Sequence, residues 1–211
     1  MEQRAHITSK LDNLRKKVLT MAGLTHLAFS KATEAFMEND WEQAELVIQD
    51  DDAIDMTECD LVRYSLELLA LTQPMARDLR LIVGSMRISI QLERIGDEAV
   101  NLAQRTVSLS MKPLLPLDQN MRTLASLCHR MLADSIVSYA DSNTSLAEAV
   151  CSLDQEADAL HYKVLTRMIS NMVEESRIVE CGVFHIMAAK HFERVADFCT
   201  NIAKSLIFIV K

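Results

Sequence analysis

The chain has 211 residues, of which 49% are hydrophobic and 25% are charged, a globular composition that excludes a disordered chain. Its formal net charge of −8 argues against a general nucleic-acid binder, because contacts to phosphate need a basic surface. With only four glycines and three prolines, the composition favours long helices over β-structure.

Three long helices are predicted in the first part of the chain. They cover residues 6–39, 43–72 and 76–109. Asp40 suits the N-cap of the second helix, and Pro74 ends that helix and can begin the third. Apolar residues spaced by four and three form one stripe on the third helix, namely Ile88, Leu92, Ile95, Ala99 and Leu102.

A segment with Pro113 and Pro116 separates these helices from three more. We place the boundary there, which gives units of residues 1–112 and 113–211. The later helices are predicted over residues 118–141, 144–173 and 177–210, and the last has its own apolar stripe of Val195, Cys199, Ile202 and Leu206. Because short connections force neighbouring helices to run antiparallel, we predict an all-α protein made of two antiparallel three-helix bundles.

The two halves repeat one another in sequence. The letters ERIGD at residues 93–97 return as ERVAD at residues 193–197, an offset of 100. Residues 44–55 return as residues 147–158, an offset of 103. Two blocks that recur in the same order indicate a tandem duplication of one unit.

Each half contains acidic pairs spaced four residues apart, so that both carboxylates share one helix face. If the first hairpin folds about residue 75, Asp51 and Asp55 reach the level of Glu93 and Asp97. The corresponding residues of the second half are Asp154, Asp158, Glu193 and Asp197. Each half is therefore predicted to gather four carboxylates at one depth.

Carboxylates so close together repel one another unless a cation neutralises them. Oxygen-rich sites of this kind favour Fe, Mn, Zn, Mg or Ca, so we predict one metal site in each half and no organic cofactor. Asn101 and Asn201 extend the two rows, and His161 is a further candidate ligand. The alternative is that the acids form hydrated faces without metal.

Arg80, Arg87 and Arg94 are spaced by seven residues on the third helix. This spacing indicates either ion pairs with acidic neighbours on that helix or a basic strip that binds a partner protein.

The sequence contains no Gly-rich phosphate loop and no nucleophile paired with a base, so we predict no enzymatic activity. The five cysteines are scattered singly and no apolar signal segment is visible, which predicts a cytoplasmic protein with reduced thiols.

Residues 69–80 (LxxxQPxxxDLR) and 92–97 (LERIGD) resemble the signature of the first repeat of the PhoU family. Residues 192–203 (FERVADxxxNIA) resemble the signature of the second, and the likeness covers nearly the whole chain. Two positions differ from the family pattern: Phe198 stands where the family often has histidine, and Phe192 where leucine is more usual.

The resemblance implies paired three-helix bundles, often dimeric, in a bacterial or archaeal cytoplasm. It implies a negative regulator of phosphate uptake and of the phosphate-starvation response. Such a regulator contacts the ATP-binding subunit of the phosphate ABC transporter and a sensor histidine kinase, and reaches the membrane only through them. Some members hold metal clusters on E/D-x-x-x-D motifs, which here correspond to Glu93/Asp97 and Glu193/Asp197 with the facing aspartates.

Two other functions stay open at this stage. A ferritin-like di-iron carboxylate protein needs Glu-x-x-His on two helices, whereas the nearest approach here is Asp158-x-x-His161. A metal-free helical adaptor needs the acids only to keep its surface hydrated.

Overall fold

The computed structural model describes residues 2–112 and 115–211, with side chains of the first helix from residue 7 onward. Eight α-helices and one 3₁₀ turn, Ser176–Ile178, make up this described part, and no strand occurs in it. The helices are α1 (Glu2–Glu38), α2 (Trp41–Gln49), α3 (Asp52–Thr72), α4 (Ala76–Leu109), α5 (Gln119–Asp141), α6 (Thr144–Ser152), α7 (Asp154–Glu174) and α8 (Val179–Val210).

The predicted all-α fold of two three-helix units is confirmed. In the first unit α1, the α2–α3 rod and α4 pack together, and in the second α5, the α6–α7 rod and α8 do so. The boundary predicted at Pro113 lies outside the described residues.

The middle rod of each half is broken, which the sequence did not predict. The helices expected over 43–72 and 144–173 are each two helices, α2 with α3 and α6 with α7. At the breaks the N–H of Ile54 donates to the carbonyl oxygen of Asp51 at 3.0 Å, and that of Glu156 to Leu153, also at 3.0 Å. These bonds span three residues and not four, so the rod tightens locally without reversing direction.

The turns between rods are fixed by local side chains. The Asp40 carboxylate accepts a hydrogen bond from the N–H of Gln43 at 3.0 Å, which confirms the predicted N-cap of α2. Asn143 does the same for α6, accepting from the N–H of Leu146 at 3.1 Å. Gln73, with a left-handed φ of 45°, ends α3 just before Pro74.

The apolar stripes of α4 and α8 are buried as predicted, in one hydrophobic core that both halves share. In this core the rings of Phe29 on α1 and Phe192 on α8 meet edge to face, with centroids 6.0 Å apart. α4 and α8 run antiparallel through the middle of the molecule, since Gln91 contacts Asn201 and Arg105 contacts Met187. Within the described residues, none of the helices has both the length and the apolar character needed to span a bilayer.

Candidate functional site

Three carboxylates converge where α3 begins alongside α4. Oxygen atoms of Asp51, Asp55 and Asp97 all lie within 4.8 Å of one another. Asp51 lies at the break between α2 and α3, so the kink of the middle rod sets its position relative to Asp55. Asp51 is half-buried, whereas Asp55 and Asp97 are exposed and open to solvent. We call these three residues the first acidic cluster.

The electrostatics of the first acidic cluster extend to Glu93. Burial raises the pKa of Asp51, and the negative charges of Asp55 and Asp97 raise it further. Burial and then Asp55 likewise raise the pKa of Asp97. The pKa of Glu93 is raised by burial and then by Asp97 and Asp55, so Glu93 belongs to the same negative region although it lies outside the group of three.

Two arginines are near Asp97, but other groups hold them. Their charges lower the pKa of Asp97, against the larger effects of burial and of neighbouring acids. Arg194 donates to Glu98 at 2.8 Å, and the Arg94 guanidinium lies 5.8 Å from the ring centroid of Phe198. Among the residues that the structure describes, no Lys, Arg or His forms an ion pair with the first acidic cluster.

The donor set of this cluster fits a hard cation. Three carboxylate oxygens on an open face can coordinate one side of an ion and leave its other positions to water, as Mg, Mn, Ca or iron accept. Glu93 could add a fourth carboxylate from the preceding turn of α4.

The second half does not assemble the same group, which differs from the prediction. In the described part of the chain, Asp154, Asp158 and Asp197 form no set with oxygens all within 4.8 Å. The negative charges still lie near one another, because burial and then Glu193, Asp154 and Asp158 raise the pKa of Asp197. The structure therefore places these charges near one another without assembling a converging set of ligands in the described residues.

A family model described as the PhoU domain matches this chain twice, over residues 18–106 and 121–206. The chain belongs to the PhoU family. The resemblance seen in the sequence is thereby confirmed.

Curated relatives carry the name phosphate-specific transport system accessory protein PhoU homolog. The protein from Aquifex aeolicus is 35% identical over 200 residues, which are 95% of this chain and 90% of the relative. The protein from Xylella fastidiosa strain 9a5c is 30% identical over 201 residues, which are 95% of this chain and 85% of the relative.

Solved PhoU structures share the fold. The crystal structure of PhoU from Pseudomonas aeruginosa superposes with a TM-score of 0.93 at 30% identity, covering 96% of this chain and 98% of that one. The phosphate transport system regulatory protein PhoU from Streptococcus pneumoniae superposes with a TM-score of 0.90 at 28% identity, covering 96% of each chain.

The three additional ligands predicted for this PhoU protein lie outside the first acidic cluster. The Asn201 side chain donates to Gln91 on α4 at 3.2 Å and so bridges the two halves. Asn101 and His161 are half-buried on α4 and α7. Among described residues, no hydrogen bond joins either side chain to a carboxylate of the predicted sites.

Two arginines of the predicted strip, Arg87 and Arg94, lie along the seam between α4 and α8. The Arg87 guanidinium is 5.5 Å from the ring centroid of Phe208, as Arg94 is 5.8 Å from that of Phe198. The Nε of Arg80 is buried without a hydrogen-bond partner. In the described ranges none of the three arginines forms an ion pair with an acid of its own helix, and their binding of a partner stays a prediction.

A buried charge network that the sequence did not predict joins the two halves. Glu98 on α4 is only 2% exposed and accepts hydrogen bonds from His191 at 2.7 Å and from Arg194 at 2.8 Å, both on α8. The repeat offset of 100 places Phe198 at the position of Glu98. That difference between the halves was the available signal, since one PhoU repeat offers a carboxylate to the facing arginine and the other an aromatic ring.

Proposed function

We propose that this PhoU protein is a non-enzymatic negative regulator of phosphate uptake and of the phosphate-starvation response. It acts in the cytoplasm as a homodimer that binds the ATP-binding subunit of a phosphate ABC transporter and a sensor histidine kinase. The observation that carries the proposal is the double match to the PhoU domain, with relatives named as transport accessory proteins over 95% of the chain.

We propose further that the first acidic cluster binds a divalent or iron-type metal ion, with Glu93 beside it. The support is the approach of three carboxylates to within 4.8 Å without an ion-paired counter-charge among the described residues. A bound cation supplies that counter-charge. The bound cation offsets the repulsion between these carboxylates and reduces the negative charge of the acidic face, which changes the partner surfaces that this face can contact.

The regulatory role is tested by co-purification. The tagged ATP-binding subunit of the host's phosphate transporter, isolated from phosphate-replete cells, is expected to bring this chain with it. The ATP-binding subunit of an unrelated ABC transporter is the matched control and should bring none. Repeated absence of a complex with both the phosphate transporter and the sensor kinase would argue against the proposed role.

Metal binding is tested on protein purified without chelator and without nickel resin. Elemental analysis by mass spectrometry is expected to find metal in the native chain and to lose most of it in Asp55→Asn/Asp97→Asn. Asp12→Asn/Glu67→Gln is the control, because it removes the same charge from exposed acids outside the cluster. Equal metal in the native chain and the cluster variant would contradict the assignment, and absence of metal from both would leave a metal-free adaptor.

A further inference from the structure

The acidic face of the second half carries its own cation. The Lys190 ammonium lies 2.5 Å from a carboxylate oxygen of Glu193, whose side chain is only 13% exposed. The same ammonium also acts on Asp197, where it opposes the rise in pKa caused by burial and by the neighbouring acids. One lysine thus offsets the charge of two of the four predicted ligands.

A hydroxyl group holds a third predicted ligand. The Thr200 side chain donates a hydrogen bond to the Asp154 carboxylate at 3.2 Å. Thr200 is buried on α8, so this contact fixes Asp154 against the helix next to Asp197. An oxygen engaged in this way is less free to turn toward Asp158.

The first half has neither partner. The repeat offset of 100 places Ile90 at the position of Lys190 and Val100 at the position of Thr200. Isoleucine supplies no charge and valine no donor, so nothing at these positions draws the carboxylates of the first acidic cluster away from one another. These two differences between the repeats offer a physical reason for the different geometry of the two acidic faces.

We infer that metal binding is confined to the first half and that Lys190, with Thr200, takes the place of the metal in the second. This inference rests on the proposed metal binding by the first acidic cluster. An ammonium group at hydrogen-bond distance from Glu193 repels an approaching divalent cation, and that repulsion is strongest where the partner is largely buried. The duplicated halves thus differ: one face binds metal, and the charge of the other is partly offset by its own lysine.

The test begins from Asp55→Asn/Asp97→Asn, in which the first acidic cluster is disabled. Lys190→Ile/Thr200→Val is added to it, giving the second half the residues of the first. Equilibrium dialysis with Mn²⁺ is expected to show only weak binding in the parent variant and at least about tenfold tighter binding in the combined variant. Lys204→Met/Thr200→Val in the same background is the control, because it removes a lysine from the same helix and leaves Lys190 in place. Circular dichroism melts verify that all variants are folded.

The outcomes separate this inference from the proposal beneath it. If the parent variant retains Mn²⁺ and loses it on Asp154→Asn/Asp197→Asn, the second half binds metal and the inference fails. It fails as well if the combined variant gains no binding, or if the lysine control gains as much. If the native chain and the parent variant bind equally little, metal binding by the first acidic cluster fails instead, while a gain in the combined variant still assigns exclusion to Lys190.

Discussion

The pKa of Asp97 is influenced by neighbouring acids and by two arginines. Burial, Asp55 and Glu98 raise its pKa, and Arg194 and Arg94 lower it by less. Because the folded-state pKa lies above the unfolded value of 3.8, the metal-free folded protein binds more protons than the unfolded chain. Its stability therefore falls as the pH rises through the folded-state pKa of Asp97, and the penalty is fully present at neutral pH.

We expect Asp97→Asn to raise the free energy of unfolding of metal-free protein at pH 7, by less than about 1 kcal/mol because solvent screens this exposed group. The gain should shrink as the pH falls toward 3.8, because the wild-type carboxylate then becomes protonated in the folded protein and increasingly so in the unfolded chain. Urea unfolding with EDTA from pH 4 to pH 8 measures it, and Asp12→Asn is the control. A variant less stable than wild type at pH 7 without metal would contradict the repulsion.

At single positions, the sequence predicted what the halves share better than what separates them. Hairpin register predicts that Asp55 and Asp97 approach one another, whereas the position of Asp51 also depends on the break between α2 and α3. Lys190 and Thr200 were overlooked because a repeat is found through matching residues, and these two do not match Ile90 and Val100. Whether a lysine on an acidic helix face reaches a carboxylate depends on its side-chain conformation, which periodicity does not give.

At the scale of elements, the rods could be predicted and their breaks could not. Apolar spacing, the N-cap Asp40 and the helix-ending Pro74 locate the ends of the helices. No proline or glycine marks the breaks at Asp50 and Leu153, whose backbone stays close to helical, with φ of −86° and −82°. A tightened turn of this kind is set by packing against the neighbouring rods, so local propensity is a poor guide to it.

The packing of α4 on α8 is expected to be most sensitive at Gly84. A Cβ added there would lie 2.3 Å from Cγ1 of Ile209, a buried branched side chain. Gly84→Ala should therefore lower the free energy of unfolding by about 1–3 kcal/mol, the usual cost of overpacking a core.

Gly23 on α1 provides the matched control for Gly84, because a Cβ added to it meets nothing within 4 Å. Gly23→Ala should raise the free energy of unfolding by about 0.5–1 kcal/mol, since alanine favours an exposed helix interior. Urea unfolding of both variants decides the comparison. If Gly84→Ala is as stable as wild type, α4 and α8 do not pack closely at Gly84 and Ile209.

At the scale of the whole molecule, two repeats in the sequence form one packed body. Nearly all the buried apolar side chains of the described residues belong to a single cluster drawn from both halves. Glu98 is buried because α8 covers it and supplies His191 and Arg194 as partners. Removing such partners from a carboxylate that stays buried strongly destabilises a folded protein. The two repeats therefore share one core and form a single unit of stability, although the sequence shows that they arose by duplication.

We expect residues 1–112 and 115–211, produced separately, not to unfold cooperatively, because each would expose the face of α4 or α8 that the other half covers. Mixing the two should restore a cooperative transition, followed by circular dichroism in urea. The control is the full chain with a protease site placed at residues 113–114, which should stay folded after cleavage because both halves remain in contact. A first half that is monomeric and unfolds cooperatively alone would show that the seam between α4 and α8 adds little to stability, and that the repeats act as separate domains.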